Sequence, residues 1–310
     1  MWAMARIVRT VRGDIDPAAL GATDAHDHLF FATPTEPGGE FLDVARAVEE
    51  AGLAVGAGLE ALVDWTPIGL GRSPEGLLEV AEATGLVVVA STGVHRDAHY
   101  LPDDPLRQAG ADELADRFVA DIAAADVPAG LIKIGASYHR VTPFEETVFD
   151  AAAAAHERTG APIGVHCEHG TMGLAIVERL GEARVTPPSI VLAHLDRNPD
   201  AGEHAETAST GAWLELDGPG RTKYWPDSTI LALIAELAER GYSDQILVGG
   251  DTGRASMMRA YGGGPGLDYL FARFKPRLER ELGAELAHTI FVRNPARAFA
   301  FEPNPTEGAS

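Results

Sequence analysis

Ala25-His26-Asp27-His28 is the stretch that decides between two architectures. Short apolar runs of strand type alternate with helical patterns along the chain, which suits either an open doubly wound sheet or a (β/α)8 barrel. An open sheet would want a glycine-rich phosphate turn after an early strand. The first predicted strand, 22–26, leads instead into two histidines two residues apart, and alternate side chains of a strand share a face. Working outward, further strands are predicted at 61–64, 86–91, 131–134, 162–166, 190–194, 212–216 and 246–250. Helices are predicted at 41–51, 73–84, 111–125, 144–159, 171–181, 200–210, 229–240 and 266–283. Ser73-Pro74 and Asp227-Ser228 read as caps, and Gly52, Gly85, Gly160 and Gly241 as helix stops. Eight strand–helix units without an internal linker give an α/β fold, a single-domain (β/α)8 TIM barrel over residues 1–301. Residues 302–310 read as a frayed C-terminal tail.

Composition narrows the partners. With 25 Lys+Arg against 46 Asp+Glu the formal charge is −21, which repels nucleic acid and anionic lipid. The single cysteine, Cys167, excludes an intramolecular disulfide and a cysteine-based zinc cluster, and reads as a packing residue. No run of eighteen apolar residues occurs, and MWAMARIVRT has no apolar signal-peptide core. The expectation is a cytoplasmic protein with no nucleic-acid or membrane partner.

The strand ends carry the chemistry. Lys133 interrupts the apolar run Leu131-Ile132-Lys133-Ile134-Gly135, where an ammonium is expensive to bury. His166 and His194 end the next two predicted strands, and Asp251 follows the eighth. The intervals are 33, 28 and 57 residues, which are one, one and two βα units. With His26 and His28, six groups able to hold a metal ion sit at the carboxyl ends of the strands, the face where barrels build active sites.

These residues resemble the phosphotriesterase family of the amidohydrolase superfamily, including its lactonase branch. The resemblance also runs through Thr10-Val11-Arg12-Gly13, Leu62-Val63-Asp64-Trp65-Thr66-Pro67, Gly69-Leu70-Gly71-Arg72, Ala83-Thr84-Gly85, Thr92-Gly93, Gly170-Thr171-Met172, Lys223-Tyr224-Trp225-Pro226-Asp227 and Asn294-Pro295. It implies two divalent metal ions, zinc by preference. One is held by His26, His28 and Asp251 and the other by His166 and His194, with a carboxylated Lys133 and a hydroxide between them. A lysine desolvated in an apolar strand loses its proton readily, and its free amine can add carbon dioxide. Asp251 would be the catalytic proton carrier. The implied activity is hydrolysis of a lactone or carboxylic ester, with phosphotriesters as a side substrate. An amide hydrolase acting on an N-acyl amino acid, and a catalytically silent metal or ligand binder, are the alternatives. A homodimer is the assembly that the resemblance suggests.

The substrate side reads less sharply. Lactonase-branch members carry a tyrosine two residues after the Thr-Gly of the third strand, where this chain has His95. That departure puts a simple homoserine-lactone substrate in doubt. Candidate substrate contacts are Trp65, His95, Tyr138, His139, His169, Arg221, Lys223 and Arg254. The basic residues after the strands, Arg96, Arg140 and Arg197 among them, suggest an anionic substrate. The competing reading pairs them locally with Asp97, Asp196 or Asp217 to fix loops. Gly262-Gly263-Gly264-Pro265-Gly266 lacks the ending of a phosphate loop and reads as an active-site loop.

Overall fold

A short hairpin, β1 (Ile7–Thr10) and β2 (Gly13–Ile15), precedes the eight predicted runs in the computed structural model, which describes residues 6–304. The runs form β3 (Thr23–Asp27), β4 (Ala61–Asp64), β5 (Val87–Gly93) and β6 (Ala129–Ala136). They continue as β7 (Ile163–Cys167), β8 (Ile190–Ala193), β9 (Trp213–Leu216) and β10 (Ile246–Val248). Neighbours in sequence pair in parallel throughout. The amides of Gly250 and Asp251 both donate to the His26 carbonyl at 2.9 Å, which brings the end of the last strand back to the first. The fold is the expected (β/α)8 barrel.

The helices lie outside it: α1 (Val44–Gly56), α2 (Pro74–Thr84), α3 (Ala111–Ala123), α4 (Pro143–Thr159), α5 (Gly173–Glu182), α6 (Ala201–Ser209), α7 (Asp227–Glu239) and α8 (Lys275–Leu282). Gly85 and Gly160 end α2 and α4 in the left-handed conformation, at φ +77° and +79°. Gly52 does not stop α1, because burial of Ala47, Ala51 and Ala54 carries the helix on to Gly56 against a glycine penalty of about 1 kcal/mol. Ser73 makes no capping hydrogen bond. Asp227 is the first helical residue of α7 rather than its cap, and its carboxylate accepts from Gly220 N–H at 3.0 Å and Tyr269 O–H at 2.7 Å. The helix predicted over 266–283 is broken. A π-helical turn, Leu270–Phe274, precedes α8, where Pro276 has no N–H to continue the ladder.

Two apolar layers follow from strand alternation. Ala61, Val63, Val89, Leu131, Val191, Trp213 and Leu247 fill the barrel interior. Residues of opposite parity, such as Leu62, Val88, Ile132 and Leu192, pack under the helices, and Cys167 joins them, as its parity predicts. Val8, Leu20 and Phe299 close the amino-terminal end of the barrel beneath the interior residues. The small sheet responsible is completed by β11 (Ala300–Phe301), antiparallel to β1. Of the predicted tail, Asn304 is tied to the end of α4 by bonds to the carbonyls of Thr159 (3.3 Å) and Glu157 (2.7 Å). Residues 305–310 lie outside the described residues. No described helix is long and apolar enough to cross a membrane.

Candidate active site

A register shift between Asp24 and Asp27 lets β3 turn His26 inward after the interior residue Ala25, and His28 follows on the same side. The carboxylates of Asp27 and Asp64 fix that turn. Asp27 accepts from the amides of His28 and Thr252, both at 2.8 Å, and Asp64 from those of Leu29 (2.8 Å) and Thr66 (2.9 Å). Lys133 on β6 and His166 on β7 are interior residues of their strands. Gly93 makes room beside Lys133, whose carbonyl oxygen would lie 2.0 Å from a Cβ there. His194 and Asp251 stand just past β8 and β10 at φ +68° and +48°. All six groups predicted to hold metal line one cavity of about 260 Å³ at the carboxyl ends of the strands.

Their ring nitrogens are sorted by partners. Thr66 Oγ1 gives its hydrogen to the Phe30 carbonyl and therefore accepts from His28 Nδ1 at 2.8 Å. His26 Nδ1 faces two carboxyl groups, Glu215 at 3.1 Å and Asp217 at 3.6 Å. His194 Nδ1 lies 2.5 Å from Asp217, close though poorly aligned, and His166 Nε2 lies 2.6 Å from Glu168. Assigning the hydrogen to each of these nitrogens, as their oxygen partners favour, leaves the opposite nitrogen presenting a lone pair. The four lone pairs converge. His28 Nε2 and the buried, unpartnered His26 Nε2 lie 3.5 and 3.7 Å from Asp251 Oδ1. His166 Nδ1 and His194 Nε2 face each other at 2.7 Å. Lone pairs aimed at one another in a buried site call for a cation between them. His26, His28 and Asp251 can hold an ion, as can the wholly buried set of His26, His194, Glu215 and Asp217.

Protonation agrees with that geometry. Burial holds His26, His166 and His194 well below the ordinary imidazole range and His28 at about 4, so all four are neutral near pH 7. Neutral imidazole is the form that binds metal. Burial pushes Lys133 down to about 7. Burial and the neighbouring Asp217 charge hold Glu215 well above the usual carboxylate range. Burial opposes ionisation of Asp217 too, but His194, Arg197 and His26 around it hold it well below that range.

Trp65 lies beneath the cavity rather than in its wall. Its indole stacks on His26 at 4.1 Å, sits 4.8 Å from Lys133 Nζ and donates to the Ala25 carbonyl at 2.7 Å. His95, Arg221, Lys223 and Arg254 line the cavity. His95 stacks on His99 at 4.0 Å, with its Nδ1 accepting from Arg96 N–H at 2.7 Å. Tyr138, His139 and His169 do not reach the cavity. They line a separate surface depression, where His139 and His169 take left-handed backbone at φ 52° and 54°. The 262–266 segment also stays outside the central wall, which Gly253, Arg254 and Met257 supply in its place.

Most cavity arginines meet acids, but not the Asp97 and Asp196 that the competing reading named; Arg197 alone comes within 3.7 Å of Asp217. Arg96 pairs with Glu168 at 3.2 Å, Arg254 with Glu36, and Arg197 and Arg221 with Asp251. Glu168 and Glu215 escaped the sequence reading, and Asp217 entered it only as an arginine partner. A signal was present in Trp213-Leu214-Glu215-Leu216-Asp217, an acid inside the predicted strand 212–216 and a second just past its end at the same parity.

Comparison with known proteins bears on the whole chain. The model of the Phosphotriesterase family matches residues 6–299. A phospho-furanose lactonase of Mycoplasmopsis synoviae is 32% identical over 96% of this chain and 92% of its own. The solved lactonase of Listeria monocytogenes superposes with a TM-score of 0.91 at 31% identity, covering 95% of this chain and 99% of that one. The phosphotriesterase homology protein of Escherichia coli, solved with phosphate in its active site, gives 0.85 at 29% identity over 91% and 99%. With its barrel and its ring of strand-end histidines, the chain belongs to the phosphotriesterase family.

Proposed function

We propose that this protein is a metal-dependent hydrolase of lactones or carboxylic esters, with phosphotriester cleavage as a side activity. The observation that carries the reading is the convergence of four imidazole lone pairs in one buried site, two of them on Asp251 Oδ1. In this reading His26, His28 and Asp251 would hold one divalent ion, and His166 and His194 another. Lys133, whose amine burial holds at about 7, would add carbon dioxide and release a proton, and the resulting carbamate would be a further metal ligand. Zinc is our preferred metal, since imidazole and carboxylate donors suit it. Bound there, such ions supply Lewis acidity and a hydroxide nucleophile near neutral pH.

The chain's own groups do the rest. Thr66, Glu215, Asp217 and Glu168 orient the four rings through their N–H edges. Asp251 accepts the proton of the attacking water and returns it to the alkoxide that leaves. His95, held by Arg96 N–H and by Tyr100, contacts the substrate from the cavity wall. The phospho-furanose lactonase relative supports a phosphorylated, hence anionic, lactone as the substrate.

The test is a screen of the zinc-loaded protein against phosphorylated and plain lactones, aryl esters, N-acyl amino acids and phosphotriesters, reading acid release. Lactone turnover that disappears on chelation and returns with zinc is expected. Two bound ions with no turnover of any lactone or ester would overturn the proposal.

A further inference from the structure

The cavity wall beside His166 is made of two further imidazoles. His95 stands edge-on to His166 at 4.6 Å, and His99 lies face to face with His95 at 4.0 Å, their planes 8° apart. Both rings line the cavity. The pair is fixed from three sides. His95 N–H donates to the Tyr100 hydroxyl at 2.9 Å, which donates in turn to the Ile68 carbonyl at 2.8 Å. Gly135 leaves room for the His95 ring, since a Cβ there would lie 3.0 Å from His95 Nδ1. Thr33, another cavity residue, donates to the His99 carbonyl at 3.4 Å. The neighbouring guanidinium of Arg96 is engaged by Glu168 at 3.2 Å.

The nitrogens of the pair are sorted by their surroundings. His95 Nδ1 accepts from Arg96 N–H at 2.7 Å, so the ring hydrogen is on Nε2. His99 Nδ1 is buried and has no partner among the described residues. A buried N–H without an acceptor is rarer than a buried lone pair without a donor, which assigns the His99 hydrogen to Nε2 as well. Burial, with the charges of Arg96 and Lys133 beside it, holds His99 at about 3, so the ring is neutral near pH 7. Two uncharged N–H donors therefore share one wall of the cavity.

We propose that His95 and His99 form a hydroxyl-binding subsite, in which their two Nε2–H groups donate to neighbouring hydroxyl oxygens on the ring of a polyhydroxylated lactone. The inference rests on the lactonase reading for its substrate, but the subsite can be tested without turnover. Neutral donors suit neutral oxygens, whereas an anionic group draws charge-assisted bonds from the guanidiniums and ammonium elsewhere in the cavity. The stack keeps the two donor edges together, within reach of hydroxyls on adjacent ring carbons. A site built for hydroxyl groups rejects the analogue that lacks them, because its donors are then left unmet. The ring of a homoserine lactone carries no hydroxyl, in keeping with the departure at His95.

The test compares erythronolactone, with two adjacent hydroxyls, and γ-butyrolactone, with none, as substrates of the zinc-loaded full chain. Circular dichroism confirms each variant's fold. His99→Phe keeps a flat ring on His95 but removes the donor. It should lower the ratio of kcat/KM for erythronolactone over γ-butyrolactone by about fivefold or more, the scale of one neutral hydrogen bond. His99→Gln, whose amide can replace the Nε2–H, should recover part of that ratio. An unchanged ratio in His99→Phe, or a His99→Gln ratio no better than that of His99→Phe, would overturn the subsite. NMR of isotope-labelled histidine reads the ring nitrogens independently of turnover, with signals assigned by their loss in His95→Phe and His99→Phe. Both rings should be Nε2–H tautomers. Anhydroerythritol, a ring ether with the same two hydroxyls and no bond to hydrolyse, should shift both Nε2 signals where tetrahydrofuran does not. An Nδ1–H form of His99, or equal shifts with the two ethers, would also overturn the subsite. Failure of both lactones to turn over, with the NMR pattern intact, would sink the lactonase reading and leave the subsite standing.

Discussion

Lys133→Met should make the metal-free protein more stable. Lys133 is buried to 1% exposure and its amine is held at about 7 against an ordinary 10.5. The native state therefore resists the proton that the unfolded chain binds, and the wild type carries a penalty at every pH below 10.5. At about 1.4 kcal/mol per pH unit the full penalty is about 5 kcal/mol, present below pH 7 where both states are charged. At pH 7, with half the native lysine neutral, it is about 4 kcal/mol, and at pH 9 about 2 kcal/mol. Because the native value is depressed, the penalty shrinks as pH rises. Methionine occupies nearly the same volume beside Trp65 and carries no charge. Urea unfolding of the chelated wild type and variant should show the variant ahead by about 4 kcal/mol at pH 7, the gap falling to about 2 at pH 9. Comparing the two proteins at each pH cancels titrating groups that do not sense residue 133. A variant no more stable than wild type at pH 7, or a gap constant between pH 7 and pH 9, would refute the account of Lys133 as a stability cost kept for chemistry.

Lys133→Ala should bind fewer than two equivalents of zinc and lose most activity, with formate or acetate restoring part of it. Lys133→Arg should gain nothing from either, because a guanidinium keeps its proton; metal analysis and turnover decide both. Gly164→Ala would put a Cβ 2.6 Å from the Trp65 ring that supports His26. Overpacking of about 1–3 kcal/mol is expected, read as a lower Tm, together with weaker zinc binding. The wholly buried Glu145 accepts from the amides of Asp97, Ser137 and Thr142 and from the Ser137 hydroxyl. Glu145→Ala should cost more than about 3 kcal/mol in urea unfolding, since it strips several charged hydrogen bonds from the loops after β5 and β6.

The strand-end groups were legible because polar residues recur in apolar runs at the interval of one βα unit, and alternation then says which way each points. That rule is a property of extended backbone and lasts only as long as the strand does. Lys133 and His166 lie within β6 and β7, and His26 lies within β3 beside its register shift. His194 and Asp251 lie past their strands, on left-handed backbone that costs non-glycine residues about 1 kcal/mol or more. Nothing in their side chains announces that conformation. They face the cavity because their backbones are tied down: His194 N–H donates to Asp217 at 3.0 Å, and Asp251 N–H to the His26 carbonyl at 2.9 Å. His139 and His169 share that conformation but stand in the outer depression, where the His139 amide donates to Thr171 Oγ1 at 3.3 Å, a residue of the same depression. A histidine beyond a strand end thus belongs to the site when an acceptor of the barrel interior captures its amide. That is a relation between distant segments, and a single sequence records it only as an unexplained acid such as Asp217.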